Sequence, residues 1–589
     1  MPSPSVCAGP AWDFCRAADF WSRFQPLSPY GKDAKEERRV HADAAEIARL
    51  HDGTDHMVAF LESRAGDGAS LDRLSYHLKR LPRLPLETRG DASYELVELF
   101  QFKKFLANHR AVRALVGAEQ ASFFGLGPEP AALSAELDRG GSDAETFYIA
   151  DSYDPRLAGL RPRIAAVDAG IAERRAAAAA RAKAEAGVDF RGRDFLVVPH
   201  EGAAGLLKDR ALFSVEPYDQ GSYLVRLQPD DAELALEAER DALRSEERLL
   251  EEGVLQGLSR LVAEALPRLR ELVAAVRELD LARARALLAL EQRLVRPTFR
   301  PAGEGGRPPR LEIEAGRFLP CAWDCERLGL RYAPLDFSLD ESAAVLFGSN
   351  MGGKTVALES LVFFQVLAQA GFHVPATRYV TSIYPRIHYV GDLGGAAAAA
   401  AAAAAPGSPP GPGPRDARAG FSSAGLSGFG FEIRAFAEAW EGAAAGALVV
   451  FDEFARTTSS REAECILSAA LEALAAKPGV RALFSTHFRG VARLPGVRYL
   501  RVRGLDRRAA AAALGADEPL GERIRRINRM MEYGLVDDEG CGPAGSDAVA
   551  IAALLGLDRG IVARAEAYYA AGGPPGAAAE TTLKQTESI

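Results

Sequence analysis

Val345-Leu-Phe-Gly-Ser-Asn-Met-Gly-Gly-Lys-Thr355 is the stretch whose reading decides the fold. An apolar run ends in a glycine-rich turn, and an amphipathic segment follows to Ala370. The pattern predicts a short buried strand, a tight loop and a helix. Gly348, Gly353, Lys354 and Thr355 match G-x-x-x-x-G-K-[ST]. Glycine lets successive backbone N–H groups turn inward around anionic oxygens, and the next helix aims its positive end at the same point. The expected phosphate-binding residues are Gly348, Ser349, Asn350, Met351, Gly352, Gly353, Lys354 and Thr355. Lys354 suits the β- and γ-phosphates of ATP, and the Thr355 hydroxyl suits magnesium.

A second stretch supplies the acids. Ala447-Leu-Val-Val-Phe-Asp-Glu453 reads as an apolar strand ending in two carboxylates. Asp452 at the strand end suits a magnesium contact, and Glu453 suits polarising an attacking water. Thr486-His487 follows another apolar strand, and His487 is expected to meet the γ-phosphate.

These motifs together resemble the MutS family. Gly348-Ser-Asn-Met-Gly-Gly-Lys-Thr355 looks like its phosphate loop, with Asn-Met inside it. The likeness continues at Gly371-Phe-His-Val-Pro-Ala376, Ser427-Gly-Phe-Gly-Phe-Glu432, Asp452-Glu-Phe-Ala-Arg-Thr-Thr-Ser459 and Ser485-Thr-His-Phe488. It ends with Gly545-Ser-Asp through Ala565, and its order and spacing hold over residues 310–570. The family usually has Gly-Arg-Gly-Thr after the acidic pair, where this chain has Ala455-Arg456-Thr457-Thr458. The resemblance implies an α/β phosphate-loop ATPase of the ABC-like kind that works as a homodimer. Ser427 would then be the serine offered to the nucleotide of the opposite subunit, among Phe429 and Glu432.

Composition sets limits. The chain has 589 residues, 48% hydrophobic and 26% charged, with a formal net charge of −9. A global basic footprint for nucleic acid is absent, so any DNA contact must come from a local stripe. Cys321 and Cys325 are the only close pair of the six cysteines, which is a poor zinc signature. Reduced thiols, no secretory signal and no apolar run of membrane-spanning length together predict a cytoplasmic protein without a membrane partner.

The chain divides, on pattern, into four parts. Residues 1–150 read as a helical core domain, with Phe14, Phe20, Trp21 and Phe24 on one helix face as core. Lys103, Lys104, His109, Arg110 and Arg113 read as a solvated helix face. Phe60-Leu-Glu62 spells a tripeptide of the family's mismatch-reading domain, but its helical surroundings make it a chance match. Residues 151–310 read as two lever helices flanking a small β-containing clamp at 188–228, with Pro267 expected to kink or split the second helix. An ordinary coiled-coil hairpin is the rival reading. Residues 311–571 form the ATPase domain, with a low-complexity insertion at 394–420, and 572–589 read as a disordered tail. Tyr332 lies where an aromatic ring could cover adenine.

The resemblance implies ATP hydrolysis that moves levers gripping DNA, in repair or recombination. Clamp donors would be Arg181, Lys183, Arg191, Arg193, Lys208 and Arg210. The alternative client is a protein. Ser28-Pro-Tyr-Gly-Lys32 and Phe100-Gln-Phe-Lys-Lys-Phe105 look like MutS-related ATPases that reactivate adenosylcobalamin-dependent aminomutases.

Overall fold

Runs of Val, Leu, Phe and Ala without polar alternation form strands buried on both faces, the usual material of a parallel sheet. The computed structural model describes residues 6–89, 93–141, 146–203, 205, 211–301, 310–348, 353–391, 428–443, 446–456, 458–512, 519–540 and 547–571. Within them the strands are β1 Phe195–Pro199, β2 Phe213–Pro217, β3 Ser222–Leu227, β4 Thr298–Phe299, β5 Leu311–Gly316, β6 Leu335–Leu339, β7 Ala343–Phe347, β8 Arg378–Thr381, β9 Ile387–Gly391, β10 Ala447–Asp452, β11 Val480–Thr486, β12 Val497–Leu505 and β13 Met531–Asp537. The insertion at 394–420 and the tail at 572–589 lie outside the described residues.

The chain forms two compact units. The first holds residues 1–27, 31–68 and 278–589. Its main sheet has six strands in the order β13-β12-β7-β11-β10-β9, all parallel except β13. Every residue of β7 and β11 is buried. A second sheet has the order β4-β8-β5-β6. Helix Lys354–Gln369 follows β7 and is buried along most of its length, so it is apolar all round rather than amphipathic. The N-terminal aromatics explain part of this burial. Phe20 meets Phe363 and Phe372 edge-on, and Phe24 meets Phe372. Val6 and Ala8 exchange backbone hydrogen bonds with Ile387, which caps the outer edge of β9. The compact units thus cut across the boundaries expected at 150 and 310.

The second unit holds residues 28–30 and 69–277. Helix Leu96–Phe123 is the expected solvated basic face only in part: Arg110 and Arg113 are exposed, but Lys103 and His109 are not. Lys103 is buried and donates to the carbonyls of Gly141 and Thr146, and buried His109 faces Glu129. A buried ammonium persists only when such partners satisfy it. Helix Pro155–Ala186 runs antiparallel to helix Asp231–Gln292, because Arg161 meets Glu247 and Glu251 while Arg175 meets Glu233 and Glu237. Leu160, Ile164, Val167 and Ile171 pack on Leu243. The helix continues through Pro267 without splitting. Proline removes one backbone donor, and buried Val262, Leu266, Leu269 and Leu272 hold the turns on both sides of it. The three-stranded sheet β1-β3-β2 closes over Ala182, Phe190 and Leu212.

Candidate nucleotide site

Strand register assembles the site. Asp452 stands level with Ser485, and Ser485 stands level with Leu346, two residues before Gly348. The C-terminal ends of β10, β11 and β7 therefore meet in one row. That end of a parallel sheet is where ligands of open α/β folds sit. Gly348 and Gly353 have φ of +149° and +88°, values that favour glycine. Ser349, Asn350, Met351 and Gly352 lie outside the described residues, as does Ser427.

Lys354 is buried with its Nζ donating to the Gly348 carbonyl at 2.5 Å and 3.7 Å from Glu453 Oε1. Burial lowers its pKa, while the Glu453 and Asp452 charges oppose that fall. The Thr355 hydroxyl donates to the Asp452 carboxylate, at 3.2 and 3.1 Å from its two oxygens. Ser485 Oγ also donates to Asp452. Burial raises the Asp452 pKa, and these two hydroxyl donors hold it down. Ser485 also fixes the second acid, since the Glu453 N–H meets both its carbonyl and its hydroxyl. The motif reading did not single out Ser485 for this role; its signal was a hydroxyl one residue before a strand end. His487 projects past β11 into an exposed position with its ring against Phe488.

The altered loop carries a conformational cost. Glu453 and Ala455 have φ of +49° and +64°, the left-handed region that disfavours a Cβ. Ala455 stands where the family usually has glycine. Its N–H donates to Glu432 Oε2 at 2.7 Å, and both residues are buried. That bond offsets strain of about 1–2 kcal/mol. Arg456 Nη1 lies 3.4 Å from Glu453 Oε2.

The residues fit Mg-ATP. A hydroxyl and a carboxylate already sit together at the expected cation position, and a buried ammonium holds a carbonyl beside a carboxylate. The Tyr332 hydroxyl accepts the Phe318 N–H at 2.6 Å, in the turn after β5. Tyr533, which the motifs did not reveal, lies against Gly353, where an added Cβ would come within 3.2 Å of its ring. Asn528 donates to the Tyr533 hydroxyl and accepts the Arg331 N–H.

The family model described as MutS domain V matches residues 418–567. Proteins called DNA mismatch repair protein MutS align over longer stretches. The one from Natronomonas pharaonis is 27% identical over 472 residues, covering 77% of this chain and 48% of that protein. The one from Geobacillus thermodenitrificans is 29% identical over 43% of this chain and 24% of its own length. The Sorangium cellulosum protein is 30% identical over 57% and 32%.

The chain is similar to MutS proteins and matches their domain V. It spans half or less of the length of these MutS relatives. The matched domain includes the acidic pair, Ser485 and Tyr533, so three of the four parts of the site above lie in it. The phosphate loop precedes it. Among the described residues no helix is long and apolar enough to cross a membrane, and no group of three potential metal-ligating side chains occurs.

Proposed function

We propose that this chain is a MutS-family, magnesium-dependent ATPase whose nucleotide site is completed by Ser427 of a second copy. The observation that carries this reading is the meeting of Lys354, Thr355, Asp452 and Glu453 at the ends of β7 and β10. Lys354 would leave the Gly348 carbonyl to bind phosphate oxygens. Magnesium held by Thr355 and Asp452 would supply neutralisation of phosphate charge. Glu453, once parted from Lys354, would orient a water, with Ser485 fixing its backbone and His487 lying beside the γ-phosphate. Tyr533 would cover the base. ATP-linked dimerisation would then be converted into movement of the helical hairpin, with DNA mismatch repair as the setting that the names of the relatives suggest.

A second client is favoured by one observation. Between residues 188 and 228 there are five Lys and Arg against six Asp and Glu. Of the expected DNA contacts, Arg181 pairs with Glu185 and Lys183 with Asp189. Arg191 and Arg193 are exposed, and Lys208 and Arg210 lie outside the described residues. Phe195 and Val197 are exposed on β1. Such a surface suits a protein, such as an aminomutase, better than phosphates.

Light scattering with ATP tests the composite site. Glu453→Gln should shift to the mass of a dimer, and Ser427→Arg in that background should prevent the shift. A monomer in both cases would overturn the reading. Fluorescence anisotropy with duplex, mismatched and branched DNA at low salt separates the clients, since absence of binding to all three leaves the protein client.

A further inference from the structure

Glu432 is an acid in apolar company. It lies in the second turn of helix Gly428–Gly442, and Phe436 and Ala439 follow it on the same face at i+4 and i+7. Phe436 packs on Phe451 and Phe454, and Ala439 is buried. Glu432 itself is 6% exposed. A carboxyl group in such a place is costly unless its oxygens are engaged. One of them takes the N–H of fully buried Ala455 at 2.7 Å.

That bond falls in the turn that carries Glu453. Glu453 and Ala455 both have left-handed φ, with buried Phe454 between them. A Cβ disfavours that region about tenfold relative to glycine. Two backbone anchors bracket Glu453. Behind, its own N–H meets the Ser485 carbonyl and hydroxyl. Ahead, the Ala455 N–H meets Glu432. β10 before the turn and helix Ser460–Ala475 after it are held in the core by Val449, Phe451, Leu467 and Leu471. Relaxation of Ala455 to the right-handed region must therefore be absorbed between those two elements, where Glu453 and Arg456 stand. The two Glu453 oxygens face Lys354 at 3.7 Å and Arg456 at 3.4 Å, so such a shift would re-aim its carboxylate.

We propose that Glu432 is a positioning residue for ATP hydrolysis: by accepting the Ala455 N–H it holds the strained turn that aims Glu453. This chain needs that hold because residue 455 is alanine and not glycine. The proposal rests on the ATPase reading above and adds to it a residue that acts through the backbone of the turn.

Steady-state ATP hydrolysis and fluorescent-ATP binding by the full chain test it. Glu432→Met keeps the length of the side chain and removes the acceptor. Its kcat should fall about tenfold or more, with nucleotide affinity within about threefold of wild type. Glu432→Gln keeps an acceptor oxygen, so its kcat should stay within about threefold of wild type. Ala455→Gly added to Glu432→Met should recover kcat at least about threefold, because glycine enters the left-handed region without the Cβ penalty. A wild-type kcat in Glu432→Met would overturn the proposal. So would a loss that glycine at 455 does not relieve, or one that Glu432→Gln shares, since these would trace to packing or charge and not to the turn. Absence of magnesium-dependent hydrolysis by the wild-type chain would overturn the ATPase reading and this proposal with it. If Glu432→Met does not fold, Glu432→Asp, which withdraws the acceptor by one methylene, takes its place with the same expected loss, the same rescue and the same overturning results.

Discussion

In the nucleotide site, Lys354 is 1% exposed at its side chain and shares its surroundings with two carboxylates. In the hairpin of residues 155–292, Arg175 is 53% exposed and holds Glu233 and Glu237 across the helix pair. Both regions are rich in opposite charges, but the consequences differ. Removing one buried charge leaves its neighbours desolvated and unbalanced, whereas water takes the place of an exposed partner. The site is a set of mutually dependent groups. The hairpin is an apolar seam with replaceable ion pairs along it.

The largest effect should come from Lys354→Ala. It removes the phosphate partner and leaves Glu453 and Asp452 facing each other, so nucleotide affinity should fall at least about 100-fold in a fluorescent-ATP titration. Retained affinity would break the contrast at its strongest point. Glu453→Gln comes next: hydrolysis should fall about 100-fold with binding kept, because only the water-orienting acceptor changes. A wild-type rate would remove Glu453 from that role.

Glu359 sharpens the comparison through pH. It stands one helical turn after Thr355, and burial, with the Asp452 charge adding and Arg16 opposing, raises its pKa from 4.5 to about 8. Between these values the folded chain holds a proton that the unfolded chain has released, so this group's contribution to stability falls as pH rises from 4.5 to 8. Glu359→Gln should match wild type in melting temperature near pH 4.5 and exceed it by several degrees above pH 8. An advantage independent of pH would contradict the assignment.

In the hairpin, Arg161→Ala and Arg175→Ala should each change stability by less than about 1 kcal/mol in denaturant unfolding, and less still in high salt. A larger loss would mean that these pairs behave like the buried ones. The smallest effect is expected from deleting residues 396–414: ATP turnover should stay within about threefold of wild type, since that stretch contributes none of the proposed nucleotide-site residues.

Much of this was legible in the chain itself. The glycine spacing around Lys354, the apolar strand before Asp452 and Glu453, and the alternating helix pattern of 231–292 come from local chemistry, because strand, loop and helix preferences act over a few residues. The sequence could not say that Phe20 and Phe24 pack on Phe372, since an apolar helix face shows that it will be buried but not against what. It marked Tyr332 as a ring near the nucleotide, and tertiary structure bound that hydroxyl to Phe318 and brought Tyr533 to Gly353 from far along the chain. Lys103 and His109 looked like a wet basic face until the carbonyls of Gly141 and Thr146 and the carboxylate of Glu129 closed on them. Local pattern determines which residues can do chemistry and which segments must be buried. Only the three-dimensional contacts decide which polar side chains, like Glu432, lose their water, because desolvation depends on everything that arrives from elsewhere in the chain.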